Sequence, residues 1–517
     1  MLILITALAL SLPAPPLPPT AADVPDIRER TIAEMGKDLD AGRITSVELV
    51  DLYLERIERL DRGQTGLHSI LIVNPRARIM AKAMDSERAL GHTRGPLHGI
   101  PIVVKDNIEV MGPMPTTAGS LALQHNITNR DAAVIERLRR AGAVVLGKTN
   151  LSEWANIRSS TSSSGWSAVG GLTVNPYDHT RSACGSSSGT GAAVSANLAA
   201  AGLGTETDGS VTCPAAMNGL VGLKPTVGLV SRRHIVPISH SQDTAGPMAR
   251  TVADTAALLT AMAGHDPADP ATVDADSHAI DFVASLDDTP LRGARLGVMW
   301  FHTDWCDDDQ LTQFEATLEQ LRTLGVELVD IRTFPGMDEI HRQELDVLLH
   351  ELKADLNVYL KTTADPVQTR SLADVIEFNQ VNANVEMPHF KQELFVQAQS
   401  LPDLTDTTYL IAMQDAKRRA GIDGIDRLIA QHDVIALIAP TTGPAFEITL
   451  EGGDRFGGAA TTLPAVAGYP HLTVPAGMVG GLPVGLSFIG PEWSEARLLG
   501  LGHRFERATH GRTPPGD

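Results

Sequence analysis

Residues 184–191 read CGSSSGTG and residues 203–210 read LGTETDGS, so two clusters of serine and glycine flank one run of small residues. The alanine-rich run between them predicts a helix over 192–201. Composition alone would favour a flexible linker, because serine and glycine tolerate many backbone conformations. Apolar segments lie on both sides, however, and ordered loops often carry function. The sequence therefore predicts two ordered loops packed inside a domain.

The composition is that of a large, acidic, globular protein. The 517 residues are 43% hydrophobic and 20% charged, which is enough to bury a sizeable core. A formal net charge of −20 repels phosphate backbones and anionic membrane surfaces, so nucleic acid is not an expected partner. The three cysteines, Cys184, Cys213 and Cys306, allow at most one disulfide bridge. No spacing typical of a zinc or other metal site occurs, and no cofactor is expected.

The first 22 residues differ in character from the rest of the chain. Residues 2–12 are apolar, a proline-rich stretch follows, and Thr20-Ala21-Ala22 could form a small-residue cleavage site. We predict a signal peptide over residues 1–22 and a periplasmic or secreted mature protein. No Lys or Arg precedes the apolar run, and a wrongly assigned start codon would instead place the protein in the cytoplasm. No membrane span is expected in the mature chain.

Helices and short buried strands alternate along the chain, which is typical of an α/β fold. A helix is predicted over 131–141, and buried strands over 100–104 and 143–147. Residues 338–429 are mostly helical and charged, which indicates a peripheral region. Further strands are predicted at 295–300, 326–331, 434–439, 471–475 and 482–489.

One short pattern formally satisfies the GxSxG nucleophile elbow of α/β-hydrolases. It is the segment 185–189, GSSSG, with Ser187 in the nucleophile position. An elbow needs an apolar strand directly before it, whereas residues 178–183 are mostly polar. A segment so rich in serine and glycine also matches by chance, and the elbow is therefore disfavoured.

The two clusters taken together fit a more specific pattern. Ser186 and Ser210 are 24 residues apart. This arrangement resembles the amidase signature family, whose hallmark is a Gly/Ser-rich loop, a small-residue helix and a second loop that ends in a nucleophilic serine. Matching segments occur at 99–107 (GIPIVVKDN), 219–226 and 243–250. The resemblance implies one large domain over 23–517, with a central mixed, largely internal β-sheet covered by helices on both faces.

Carried over to this chain, the resemblance makes Ser210 the nucleophile, Ser186 a bridging serine on a cis peptide bond and Lys105 the general base. A serine hydroxyl attacks only when a base removes its proton, and a lysine can do so only when neutral. Lowering the pKa of a lysine from about 10.4 to near 7 takes roughly 4 kcal/mol. Burial at the end of a strand could supply that free energy.

The resemblance also places an oxyanion hole in the turn before the nucleophile. Its donors would be the backbone N–H groups of Thr207, Asp208, Gly209 and Ser210. The family more often has a glycine where this chain has Asp208, so the carboxylate must point away or contact a cationic part of the substrate. With Asp208 at this position, the segment 205–210 (TETDGS) is similar to that of the peptide amidases, which remove ammonia from the C-terminal carboxamide of peptides.

Several other residues are weaker candidates. Ser187, Asp243 and Arg250 are possible substrate or loop contacts, although Asp243 is expected to bind loop amides and Arg250 to form a structural salt bridge. Cys184 and Cys213 are close in sequence to the two serines. They are expected to pack near each other, and whether they form a disulfide stays open.

The expected activity is therefore hydrolysis of a carboxamide through an acyl-enzyme, with a small-molecule or peptide amide as substrate. Aryl, aliphatic, cyclic or fatty-acid amides are alternatives, since the middle section that shapes the pocket is least like the family. A role in a tRNA-dependent amidotransferase complex is disfavoured by the −20 charge. A non-catalytic binding protein on the same fold would have no need to keep Lys105, Ser186 and Ser210. The oligomeric state is left open.

Overall fold

The computed structural model describes residues 26–516. The predicted signal peptide at 1–22 and the predicted start of the domain at residue 23 lie outside these residues. The strands are β1 Ile70–Val73, β2 Pro101–Lys105, β3 Val144–Thr149, β4 Trp166–Ser167, β5 Gly171–Leu172, β6 Ala201–Glu206, β7 Val221–Lys224, β8 Thr244–Ala249, β9 Arg295–Met299, β10 Glu327–Ile331, β11 Ala436–Pro440, β12 His471–Val479 and β13 Leu482–Ile489. The helices are α1 Ile32–Asp40, α2 Ser46–Leu60, α3 Ala77–Ala89, α4 Ala133–Arg140, α5 Ser188–Ser195, α6 Thr212–Met217, α7 Val252–Met262, α8 Asp308–Thr323, α9 Met337–Leu360, α10 Leu372–Val381, α11 Ala383–Glu386, α12 Glu393–Ser400, α13 Thr407–Ala420, α14 Arg427–His432, α15 Thr462–Ala467 and α16 Glu495–Thr509.

Eleven of the described strands form one mixed sheet in the order β1-β3-β2-β6-β8-β7-β12-β13-β11-β9-β10. β2 pairs in parallel with β3 and β6, and β9 pairs in parallel with β10 and β11. The other neighbours are antiparallel. The central strands β2, β3, β6, β7 and β8 are buried along their whole length, which matches their nearly continuous apolar sequences. The predicted α/β fold around a mixed internal sheet is confirmed.

The main correction to the predicted elements concerns the helix expected over 192–201. Helix α5 begins earlier, at Ser188, and ends at Ser195, while Ala201 already begins β6. Close packing explains the shift, because a Cβ atom on Gly189 would clash with the carbonyl oxygen of Ser69. The glycines let the helix start inside the Ser/Gly cluster and pack against neighbouring backbone.

The helical region predicted over 338–429 consists of helices α9 to α14, residues 337–432, which we call the cap. Leu352 and Leu356 of α9 pack with Phe395 of α12 and with Leu123 and Trp154 of the body of the protein. The cap therefore covers the segments that follow β2 and β3. None of the described helices is both long and apolar enough to cross a membrane.

Candidate active site

Two parallel strands bring the lysine segment and the serine segments together. β2 ends at Lys105 and pairs with β6, so that Val104 lies opposite Leu203. The carboxyl end of β6 therefore lies beside Lys105, and the chain after it leads directly into the turn that carries Ser210. Ser186 lies just before helix α5, whose residues pack against the same strands.

Lys105 is completely buried, with 0% of its surface exposed. Its Nζ lies 2.7 Å from Oγ of Ser186, 2.9 Å from Oγ1 of Thr205 and 3.2 Å from the carbonyl oxygen of Thr205. Burial lowers the pKa of Lys105 to about 7, and the negative charges of Asp243 and Glu206 oppose part of that shift. A substantial fraction of Lys105 is therefore neutral near pH 7 and able to accept a proton from Ser186.

Backbone hydrogen bonds hold the Ser186 segment in place. The peptide bond between Gly185 and Ser186 is cis. The carbonyl oxygen of Ser186 accepts a hydrogen bond of 3.1 Å from the N–H of Ser152, and the N–H of Ser187 donates one of 3.2 Å to the carbonyl oxygen of Ser210. The second bond joins the two serine segments directly. The structure thus brings Lys105, Ser186 and the Ser210 turn into one cluster.

The turn from Thr207 to Ser210 borders a cavity of about 590 Å³. Gly209 has a φ of +78°, a backbone conformation that favours glycine. Among the hydrogen bonds of the described residues, none uses the N–H groups of Thr207, Asp208, Gly209 or Ser210. Unpaired N–H groups beside the predicted nucleophile suit the binding of a developing oxyanion. Ser210 itself is 8% exposed, so its hydroxyl can be reached from the cavity.

Glu206 supports this turn and was missed by the sequence reasoning. Its Oε2 accepts hydrogen bonds of 2.8 Å from the N–H of Val211 and 2.9 Å from the N–H of Thr212. Lys224 lies near the Glu206 carboxylate and partly balances its charge. The signal was present in the segment TETDGS, where a carboxylate stands four residues before the predicted nucleophile. Glu206 therefore fixes the direction in which the chain leaves Ser210.

The weaker candidates Ser187 and Arg250 do not face the cavity. Ser187 is fully buried, and its hydroxyl donates to the carbonyl oxygen of Thr205 at 3.2 Å, so it reaches neither the cavity nor a substrate. Arg250 is also buried. Its guanidinium donates to the carbonyl oxygens of Val194, Ala199 and Arg30 rather than facing a substrate carboxylate.

Asp243 binds loop groups, as expected. It accepts a hydrogen bond of 2.6 Å from Oγ1 of Thr207 and further bonds from the N–H groups of Ile238 and Ser239. Burial raises the pKa of Asp243 to about 6. Asp243 therefore anchors Thr207, the first residue of the turn from Thr207 to Ser210, which we call the oxyanion turn.

The wall of the cavity is mainly apolar and carries both aromatic and acidic side chains. Phe301, Trp305 and Phe456 line it together with Asp208 and Asp454. None of the described lining residues is a lysine or an arginine. Burial lowers the pKa of His302, which also borders the cavity, to about 4, so that this imidazole is neutral near pH 7. The wall suits an extended acyl group that is apolar or positively charged.

Cys184 and Cys213 form a disulfide bond across the site. Cys184 precedes the Gly185–Ser186 bond, and Cys213 lies in helix α6 directly after the turn that carries Ser210. Both residues border the cavity. The bond therefore ties the segment of the bridging serine to the helix that follows Ser210.

We expect the double substitution Cys184→Ser and Cys213→Ser to lower the free energy of unfolding by about 3 kcal/mol, because the bond closes a loop with a sequence separation of 29 residues. Denaturant unfolding under non-reducing conditions measures this effect. Cys306→Ser, which removes the free cysteine, is the matched control and should change stability little. Equal stability of the wild type and the double variant would contradict the prediction.

One group of described side chains has the composition of a metal site. His240, Glu351 and Asp355 bring possible ligand atoms within 4.8 Å of one another. The Glu351 carboxylate already accepts hydrogen bonds from Ser239, Ser241 and Tyr409. Both oxygens of the Glu351 carboxylate therefore already have hydrogen-bond donors.

The chain resembles known proteins over nearly its whole length. A model of the family described as Amidase matches residues 48–499. The fold is similar to that of the native peptide amidase from Stenotrophomonas maltophilia, with a TM-score of 0.90 and 49% sequence identity over 95% of this chain and 99% of that chain.

Relatives known from sequence carry two kinds of name. The chain is 39% identical over 502 residues to a "Probable amidase" of Arabidopsis thaliana, covering 95% of this chain and 92% of the relative. It is 36% identical over 505 residues to a component of the glutamyl-tRNA(Gln) amidotransferase of Halorhodospira halophila, covering 95% of this chain and 100% of the relative. The chain therefore belongs to the amidase (amidase signature) family and is a hydrolase that acts on amide C–N bonds.

Proposed function

We propose that the protein hydrolyses the C-terminal carboxamide of peptides and releases ammonia through an acyl-enzyme on Ser210. The observation that carries the proposal is the buried Lys105 amine, 2.7 Å from Oγ of Ser186 and adjoining the Ser210 turn. The 49% identity to a peptide amidase over nearly the full length supports a peptide substrate. The cavity of about 590 Å³ is large enough for several residues of a peptide.

The reaction follows from the order of the groups. Neutral Lys105 takes the proton of Ser186, which takes the proton of Ser210 as the Ser210 oxygen attacks the carbonyl carbon. The N–H groups of residues 207–210 stabilise the oxyanion, and each such donor typically contributes about 2.7–4 kcal/mol. Ser186 then gives its proton to the nitrogen and regains one from Lys105, the C–N bond breaks and ammonia leaves, so that Lys105 is neutral again. Water attacks the acyl-enzyme along the same proton path and restores Ser210.

The charges on the cavity wall indicate which acyl groups would bind well. Asp208 and Asp454 disfavour a carboxylate near the scissile bond, because no lysine or arginine among the described lining residues would balance it. Phe301, Trp305 and Phe456 favour apolar or cationic side chains. A peptide amide has no free carboxylate at its C-terminus, whereas free glutamine does. The absence of this carboxylate favours peptide amides over free glutamine as substrates.

Ammonia release from a panel of substrates tests the proposal. The panel contains peptide amides with aromatic, cationic and acidic C-terminal residues, simple aryl and aliphatic amides, free glutamine and the matching esters. We expect the largest kcat/KM for peptide amides with aromatic or cationic C-terminal residues and the smallest for glutamine. Faster turnover of aryl or aliphatic amides would show that these amides, and not peptide amides, are the preferred substrates. Failure to turn over any amide would support a binding role instead.

We also propose that the protein is exported. The Cys184–Cys213 disulfide supports this location, because such bonds persist mainly in oxidising compartments. Amino-terminal sequencing of the mature protein from its native host should find a start near residue 23. A cytoplasmic protein that retains Met1 would contradict the proposal.

A further inference from the structure

Asp208 stands in the oxyanion turn, and its carboxyl group accepts no hydrogen bond from the N–H groups of that turn. Its Oδ2 accepts a hydrogen bond of 2.7 Å from Oγ1 of Thr462 in α15. Its Oδ1 is buried and receives no N–H or side-chain donor among the described residues. An unpaired carboxylate oxygen in such a place would cost substantial free energy. The surroundings of Oδ1 therefore need to supply a proton.

The group that meets Asp208 is a second carboxyl group. Glu344 lies on helix α9 of the cap, is 8% exposed and is in hydrogen-bond contact with Asp208. Its Oε1 also accepts a bond of 2.9 Å from Nε2 of Gln242. The same nitrogen donates to the carbonyl oxygen of Thr207 at 3.4 Å. Glu344, Gln242 and the oxyanion turn therefore form one hydrogen-bonded cluster.

Two carboxyl groups in contact cannot both be ionised without strong repulsion. Burial and the neighbouring Asp208 both raise the pKa of Glu344 well above its ordinary range. Lys224 and Glu206 interact with Asp208 only through their charges. The titratable side chains on the neighbouring elements include His341 on α9, Asp243 before β8, and Asp415 with Arg418 and Arg419 on α13.

We propose that Glu344 keeps its proton and shares it in a hydrogen bond with the carboxylate of Asp208, and that this carboxyl pair positions the oxyanion turn against the cap. The inference rests on the proposed function, because the turn is taken as the oxyanion hole of an amidase. Loss of the shared proton places two negative charges in contact within a buried site. The charges separate, the turn moves from α9, and kcat falls on the alkaline side of the pH profile. Asp208 and Glu344 act here as positioning residues.

The test compares pH profiles of kcat and KM for the wild type, Glu344→Gln and Asp208→Asn. We expect an alkaline decrease of kcat of about tenfold or more in the wild type, as expected for loss of a hydrogen bond to a charged group. Both amide variants should lose that decrease, because an amide donates a hydrogen bond to the remaining carboxylate without titrating. The matched control Asp338→Asn changes an exposed carboxyl group on the same helix and should keep the wild-type profile.

Stability provides a readout that does not depend on activity. The folded protein keeps a proton that the unfolded chain releases, so the pair stabilises the fold most below the ordinary pKa of glutamate. That stabilisation is lost as the pH rises to the raised pKa of the folded state. The free energy of unfolding should therefore fall more steeply with pH in the wild type than in Glu344→Gln.

The outcomes distinguish failure of the proposed carboxyl pair from failure of the proposed function. Equal pH slopes of stability in the wild type and Glu344→Gln, or an alkaline decrease of kcat that survives in both variants, would overturn the shared proton. If no amide is hydrolysed but the slopes differ, the proposed function fails while the carboxyl pair stands. If Glu344→Gln does not fold, Asp208→Asn supplies the same comparison from the other partner.

Discussion

Ser210→Ala is expected to lower kcat by roughly a millionfold, as removal of a serine nucleophile does in other hydrolases. The reason is that the hydroxyl forms the covalent bond to the substrate, and no other serine of the cluster can replace it. Ser186 is buried between Lys105 and the turn, and Ser187 is buried against Thr205. Ammonia release from the best peptide amide of the panel measures the loss. Circular dichroism and thermal unfolding should show an intact fold, because only one oxygen atom is removed.

The matched control is Ser187→Ala, one residue from the bridging serine. It removes a hydrogen bond of 3.2 Å to the carbonyl oxygen of Thr205 and one of 3.3 Å from the N–H of Thr205, and should lower the free energy of unfolding by about 2 kcal/mol while turnover persists. A fluorophosphonate that reacts with activated serines should label Ser210 in the wild type. Labelling of Ser187, or full turnover by Ser210→Ala, would restore the nucleophile-elbow interpretation and contradict the mechanism.

The candidate catalytic cluster is predicted through the resemblance to the amidase signature family, and that resemblance is visible in the sequence because short, local patterns carry it. Lys105 ends a continuous apolar strand, and Ser186 and Ser210 flank a run of small residues. The alternation of helices and strands placed both patterns in an α/β sheet. Parallel pairing of β2 with β6 then brings their ends together, which makes the meeting of Lys105 with the serine loops a consequence of topology.

The cavity wall could not be predicted in the same way. Phe301, Trp305 and Phe456 lie 91 or more residues from Ser210 in the sequence and follow no pattern that relates them to it. Glu344 lies in a charged helix where nothing in the sequence separates a buried carboxyl group from its exposed neighbours. Its contact with Asp208 depends on how the cap packs on the body. Long-range side-chain contacts of this kind are fixed by tertiary structure and not by local periodicity.

Arg250 shows what a motif leaves open. The sequence favours a structural salt bridge over contact with a substrate carboxylate, and among the described residues Arg250 forms neither. The side chain instead binds the carbonyl oxygens of Val194 and Ala199, at the end of α5 and in the segment before β6. It satisfies backbone groups that the small residues of that region cannot. A motif thus identifies the residue, while its role depends on which polar groups the fold leaves unpaired.

Lys105→Met is expected to lower kcat about 10⁴-fold, the upper range for removal of a general acid–base group. In the wild type, kcat/KM should rise with pH through about 7, because burial lowers the pKa of Lys105 to that value and only the neutral amine accepts a proton. The rise should be absent from the residual activity of the variant. Lys105→Arg keeps a positive charge that cannot be removed near pH 7 and should be equally inactive.

Lys105→Met should increase the stability of the folded protein while it removes activity. Between about pH 7 and pH 10.5 the unfolded chain binds a proton at Lys105 that the folded protein does not, so the free energy of unfolding of the wild type rises with pH across this window. At or below pH 7 the full difference corresponds to about 5 kcal/mol, an upper limit to what Met could recover. Urea unfolding at pH 7 and pH 10 measures both effects. An active Lys105→Met, or one that is less stable at pH 7 than the wild type, would show that Lys105 is a charged structural residue and not the base.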